Sequence, residues 1–479
     1  MAGSNIKKIG LLAGPLLCAA ALLLPGGMLS PDADKVLAVA IWMVVWWITE
    51  AVSISVTALL PLAFFPLLGV ADMKSVSAAY GNPIIFLFFG GFIIALAMEK
   101  VQLHRRIALK VIQLTGTSPD MVVLGFMIAT ALLSMWISNT ATTLVMLPIA
   151  LSVVEMLQHD EDGFTSNDKN FALSIMLGIA YAANIGGVAT IIGTPPNMVL
   201  IGFLEATYDI EISFLQWMTI GLPFSIVMLA ILYVVLVKWL YPNRLQGRAS
   251  GKTVIEKELS RLGVLNREEK QVLAIFMLAM LLWIFRTQLN IWLPMIPLSD
   301  TGISMLAGVL LFTLPLNWKK GSFILDWEDT KKLPWGILIL FGGGLALADS
   351  MSESGIIDAI GSAISSYSGL TEIFLLLILV FVMLFMTELM SNVALVTIFI
   401  PVVAGIAGGF QIPLIELLIP VTIASSCAFM LPMATPPNAI VFASGHVKVN
   451  QMVKTGIYLN LLSVLVIVIL CKWLLPVIF

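Results

Sequence analysis

Two short polar stretches sit inside apolar runs where a membrane helix has no reason to stop. They are Ser138-Asn139-Thr140 within MWISNTATTLVMLPIA and Ser391-Asn392-Val393 within ELMSNVALVTIFIPVVA. Aligned on the Ser-Asn pair, the two runs also share Ala141 with Ala394 and Pro148 with Pro401. A second interruption follows each of them, Gly193-Thr194-Pro195-Pro196-Asn197 and Ala434-Thr435-Pro436-Pro437-Asn438. A helix end inside a bilayer is costly unless its free N–H groups find partners. Ser, Asn and Thr supply the capping oxygen, and a Thr followed by proline is a helix start. Thr140, Val393, Pro195 and Pro436 therefore each lie near the start of a half-helix. Four positive helix ends at the mid-plane make an anion site without an arginine, and no Lys or Arg lies in any of the four breaks. An anion held that way needs co-bound cations. Exposed carbonyls at Ser138, Gly187, Thr387 and Ala434, together with Ser and Asn side-chain oxygens, suit sodium better than magnesium, which holds its waters tightly.

The elements that must position these residues follow from composition. The chain has 479 residues, 59% hydrophobic and 11% charged, with a mean hydropathy of +1.03. A soluble chain would carry about 25% charged residues. The apolar runs match the hydrocarbon thickness and show no β-barrel alternation, so the expectation is an all-α polytopic membrane protein. The first run, from residue 10 to 24 after Lys7 and Lys8, resembles a signal peptide but lacks a good cleavage pattern after Pro25-Gly26-Gly27; it reads as a retained span. Residues 1–35 hold that span. Residues 36–241 form a first repeat with a re-entrant hairpin at 119–157 and a helix at 170–204 broken at Gly186-Gly187 and again at Thr194-Pro195-Pro196. A polar linker at 242–268 carries charges of both signs, Arg244 and Glu256 among them. Residues 269–479 repeat the plan, with a hairpin at 370–408 and a broken helix at 413–445. FGGFIIALA at 89–97 resembles FGGGLALAD at 341–349, so the repeat extends beyond the breaks. The count is about eleven spans and two hairpins, the arrangement of a secondary transporter with internal repeats.

Charge distribution sets the orientation. With the ends of the first hairpin cytoplasmic and those of the second external, all but Lys35, Lys74, Arg286 and Lys472 of the 25 Lys and Arg fall inside. That puts the N-terminus in the cytoplasm and the C-terminus outside, in a cell inner membrane, and makes the halves inverted. The 3 cysteines, Cys18, Cys427 and Cys471, lie in apolar runs and suggest neither a disulfide framework nor a metal cluster. No nucleic-acid partner is expected.

These motifs, and SSCAFMLPMATPPNAIV at 425–441 in particular, resemble the divalent anion/sodium symporter family, and the resemblance covers the whole chain. It implies an elevator-type transporter, usually a homodimer, with a scaffold and a mobile transport domain. It implies at least two sodium ions as coupling ions. One would sit at Ser134, Ser138, Asn139 and Gly187; the other at Thr387, Met390, Asn392 and Ala434. It implies substrate contacts from Ser138, Asn139, Thr140, Thr194 and Pro195, and from Ser391, Asn392, Val393, Thr435 and Pro436. Val393 departs from the stricter Ser-Asn-Thr form and removes one hydroxyl. The expected function is sodium-coupled uptake of a C4-dicarboxylate such as succinate, malate or fumarate. Sulfate or citrate symport and sodium-independent dicarboxylate exchange are the alternatives within the class.

Competing classes fit less well. A channel needs a continuous polar pathway, whereas paired re-entrant breaks in inverted repeats favour alternating access. No Ser/His/Asp set, HExxH or GxGD-type pair occurs in apolar context, and His104, His159 and His446 lie away from the breaks, so the chain does not read as an enzyme. A lone Ser-Asn-Thr would read as a helix–helix hydrogen bond; its duplication beside matched Thr-Pro-Pro-Asn segments is what favours a site. Glu50 and Glu388 are acids in apolar context, expected to serve as caps or partners near helix ends. His104, Arg105 and Arg106 read as an interfacial anchor.

Overall fold

The computed structural model describes residues 2–23, 30–116, 118–158, 165–243, 245, 250–317, 319, 321–365 and 371–479. Pro25-Gly26-Gly27, His159 and Arg244 lie outside the described residues. The described chain is a helical membrane protein with one small antiparallel β pair, in which Pro315 opposes Phe323 and Asn317 opposes Ser322. Among the described residues, eight helices are long and apolar enough to cross a membrane, and shorter apolar helices lie between them.

Helix starts follow local chemistry. Ser30 caps Pro31–Thr49 by accepting from Ala33 N, and Asn82 caps Pro83–Lys100 by accepting from Ile84 N. In both, proline takes the first helical position, where its missing N–H costs nothing. Thr165 with Asp168 and Asn266 with Glu269 form capping boxes at Ser166–Val188 and Arg267–Trp292.

Ser166–Val188 is the centre of the molecule, buried continuously from Phe171 to Val188. The first hairpin, Pro119–Ser134 and Asn139–Gln158, packs on it. After the Ala189–Thr194 break the chain continues as Pro195–Tyr208. The second hairpin, Glu372–Met386 and Asn392–Phe410, packs on Leu414–Ser425 in the same manner. That helix ends in an unwound segment at 426–435, and Pro436–Ala443 follows. The last helix, Val449–Ile478, lies behind this second break.

Two sequence expectations change. The Gly186-Gly187 pair is helical, and the chain unwinds only after Val188. Its glycines answer to close packing: a Cβ on Gly186 would sit 2.4 Å from the Ala131 carbonyl oxygen, and one on Gly187 would sit 2.7 Å from Asn139 Oδ1. His104 is 3% exposed, with Nδ1 3.0 Å from the Met98 carbonyl, and burial lowers its proton affinity. It is sealed in the protein and is no interfacial anchor. Its neighbours do face charged partners: Arg105 pairs with Glu258, and Arg106 pairs with Glu269 at 2.7 Å.

Candidate functional site

Both hairpin tips and both breaks meet at one cavity of about 920 Å³. Ser138, Asn139, Thr140, Thr194 and Pro195 line it from the first half; Ser391, Asn392, Val393, Thr435 and Pro436 line it from the second. Met390 and Ala434 also reach it. Ser134, Gly187 and Thr387 are buried behind this wall. The cavity extends to Lys7, Glu50, Glu99 and Lys332 at its other end. Glu50 there is exposed, caps Pro31–Thr49 in a left-handed conformation (φ 46°) and pairs with Lys7 at 3.4 Å.

Four helices begin at the cavity, at Asn139, Pro195, Asn392 and Pro436. Their caps differ in detail. Ser138 Oγ accepts from Ala141 N at 3.3 Å, and Thr435 Oγ1 accepts from Asn438 N at 3.4 Å. Thr194 and Ser391 make no side-chain cap. Such ends present partial positive charge to an anion, although the Pro195-Pro196 and Pro436-Pro437 starts carry no N–H at their first two positions.

The tips repeat each other closely. Ser134 Oγ donates to Asn139 Oδ1 at 2.6 Å, and Thr387 Oγ1 donates to Asn392 Oδ1 at 2.6 Å. Each pair gathers neutral oxygens behind the cavity wall. No cluster of three or more His, Cys, Asp or Glu side chains occurs among the described residues, so a cation at either tip would be held by hydroxyl, amide and carbonyl oxygens. Such a set suits a weakly charged hard ion.

The Asn of each Thr-Pro-Pro-Asn segment holds its own break in shape. Asn197 Nδ2 donates to the Thr190 carbonyl at 2.8 Å, and Asn438 Nδ2 donates to the Ala428 and Leu431 carbonyls at 3.1 Å each. These amides are fully buried. They satisfy carbonyls that unwinding leaves without helical partners.

Two residues take a larger part than the sequence assigns them. Glu388, 3% exposed, accepts from Phe429 N at 2.8 Å, Met430 N at 2.9 Å and Leu431 N at 3.0 Å. Asn460 Nδ2 adds a fourth donor at 2.8 Å. Glu388 thus fastens the second tip to the unwound segment beside it. Asn184, not singled out by the motifs, lines the cavity and contacts Asn139 and Thr435. Its one sequence signal is a lone amide in the apolar run AYAANIGGV.

The chain matches the family model described as sodium:sulfate symporter transmembrane region over residues 6–479. It is 42% identical over 479 residues to the sodium-dependent dicarboxylate transporter SdcS of Staphylococcus saprophyticus, covering 98% of this chain and 92% of that protein. It is likewise 42% identical over 478 residues to SdcS of a Staphylococcus aureus strain, USA300, with the same coverage. Among solved structures, Neisseria gonorrhoeae MtrF matches with a TM-score of 0.56 at 12% identity, over 98% of this chain and 94% of that one. The Alcanivorax borkumensis YdaH transporter matches with a TM-score of 0.54 at 12% identity, over 98% of both chains. At that identity the likeness is one of fold.

Proposed function

Because this chain belongs to the sodium:sulfate symporter family, we propose that it couples inward sodium movement to uptake of a C4-dicarboxylate of the succinate, malate and fumarate class. The observation that carries this reading is the cavity at which four helix N-termini and two Ser-Asn tips converge, with no Lys or Arg within the four breaks and Lys7 and Lys332 at the cavity's other end. The two staphylococcal relatives are named as sodium-dependent dicarboxylate transporters, which supports both sodium and substrate class.

The chemistry follows from the neutral donors. One carboxylate of the substrate meets Ser138-Asn139-Thr140 with Thr194-Pro195, and the other meets Ser391-Asn392-Val393 with Thr435-Pro436. Each helix end contributes only about half a charge, so a dianion is not neutralised by them alone. Sodium supplies the remainder from behind, at Ser134, Ser138, Asn139 and Gly187 and at Thr387, Met390, Asn392 and Ala434. Each site thus shares its Asn between ion and anion, and binding of one reinforces binding of the other.

Movement follows from how the pieces are joined. The hairpins and broken helices are tied to one another by Asn184 and Glu388, which favours their travelling as one body past a scaffold, an elevator. The body works within a homodimer in the cell inner membrane, N-terminus cytoplasmic. In that orientation the cavity's Lys7 and Lys332 end faces the cytoplasm, and the conformation is the inward-facing one. A cysteine placed at Ser250 should then label with an impermeant reagent only after the cells are opened.

The deciding experiment is succinate binding to purified protein across a sodium titration at fixed ionic strength, with citrate and sulfate as competitors. Sodium should raise succinate affinity. An affinity flat from sodium-free buffer to saturation sinks coupled symport and leaves exchange; displacement by sulfate rather than succinate would reassign the substrate.

A further inference from the structure

The first hairpin tip and the second break are joined through a side chain on neither. Asn184 lies on Ser166–Val188, ahead of the first break, 2% exposed and on the cavity wall. Its Oδ1 receives Asn139 Nδ2 at 3.5 Å. Its Nδ2 donates to Thr435 Oγ1 at 3.1 Å and to the Ala428 carbonyl at 3.4 Å. The partners fix the amide's orientation. Turned over, its NH2 would face the NH2 of Asn139 and its oxygen would face a carbonyl oxygen.

Donation therefore runs in one sense, from Ser134 to Asn139, to Asn184, to Thr435. At Thr435 the chain ends with a definite result. Oγ1 already accepts from Asn184 Nδ2 and from Asn438 N at 3.4 Å, which engages both lone pairs. The hydroxyl hydrogen is left as a donor, and Thr435 lines the cavity.

We propose that Asn184 is the positioning residue that couples the cation at the first hairpin tip to the anion at the second break. The inference rests on the symport reading above. A cation that takes Asn139 Oδ1 as a ligand fixes that amide plane and so the direction of its Nδ2. That holds Asn184, which in turn turns the Thr435 hydroxyl into a donor toward the anion. The link crosses from one half of the chain to the other, so sodium at one tip is felt by the substrate at the opposite break.

The test is the coupling ratio, succinate dissociation constant without sodium over that at saturating sodium, for wild type, Asn184→Ala, Asn184→Ser and Thr435→Ala. The alanine and serine variants at 184 should lower the ratio by about tenfold, within the usual range of coupling between sites. Sodium affinity measured without succinate should change less than the ratio does. In the double variant Asn184→Ala/Thr435→Ala, the two losses of succinate affinity should fall short of additive, because they remove the same donor. A residue that merely fills space would lower thermal stability and leave the ratio intact. Asn184→Ser keeps a buried polar group and serves where the alanine variant does not fold. If the wild-type ratio is itself one, the symport reading fails and takes this inference with it. If wild type is coupled and the folded 184 variants keep its full ratio, the assignment of Asn184 alone is overturned.

Discussion

The two breaks do the same job with different chemistry. In the first, the stranded groups are carbonyls and the partners are neutral donors. Asn197 serves Thr190, Trp217 Nε1 serves Val188 at 2.9 Å, and Ser225 Oγ serves Ile185 at 2.7 Å. The second break stays unwound over 426–435 and strands N–H groups as well. Three successive N–H groups, of Phe429, Met430 and Leu431, converge on the Glu388 carboxylate. Aligned on the Ser-Asn pairs, the first half has Met135 where the second has Glu388, and it serves that break through its backbone carbonyl, which accepts from the Thr190 hydroxyl. A short break can be satisfied by amides and hydroxyls. A longer extended one needs an acceptor with several lone pairs, and a carboxylate is the densest such group.

The largest effect that separates the halves should come from Glu388→Gln. It replaces one of the two acceptor oxygens by an NH2 that faces a backbone N–H and removes the charge from the remaining bonds, and should cost about 3 kcal/mol or more of stability in detergent thermal unfolding. Met135→Leu, its counterpart, should cost less than about 1.5 kcal/mol. Equal losses would break the comparison. Next come Asn197→Ala and Asn438→Ala, each leaving buried carbonyls without a donor and each expected to cost about 1–3 kcal/mol by the same measurement. A large inequality between them would show that one break is held mainly by other groups. Gly187→Ala should follow, because its Cβ would press on Asn139 Oδ1. Sodium affinity should fall about tenfold, the scale of ordinary overpacking. Aligned on the Thr-Pro-Pro-Asn segments instead, the second half has Ala428 at this place, which already carries a Cβ, and Ala428→Gly should shift sodium affinity far less. The smallest effect is expected from Val393→Thr. Restoring the hydroxyl that the first tip has at Thr140 should tighten succinate binding a few-fold, about one hydrogen bond's net worth, read by titration calorimetry.

The repeated architecture was legible because polar caps and prolines interrupt apolar runs, and little else in a bilayer explains them. The placement of Ser138 to Thr140 and Ser391 to Val393 at one cavity follows from that duplication. The buried supports were less legible. Glu388 showed as an acid in apolar context, but its three N–H partners lie on a segment separated from it by two whole helices, Asn392–Phe410 and Leu414–Ser425. Asn184 gave no motif, since its meaning depends on residues from the other half of the chain. Gly186-Gly187 misled for a related reason. Glycine reads as a breaker in isolation, yet here it allows the Ala131 backbone and the Asn139 side chain to approach an unbroken helix.

The reach of these supports along the chain bears on how the protein is made. Glu388 waits for Phe429 to Leu431 and for Asn460, and Asn184 waits for Thr435. At ordinary synthesis rates of about 5–20 residues per second, the first hairpin and its neighbour leave the ribosome many seconds before those partners exist. During that interval their polar atoms must be served by water, lipid headgroups or the insertion machinery. The two halves therefore cannot mature one after the other as finished units. Biogenesis ends with a closing step in which the segment at 426–460 docks and completes both halves at once.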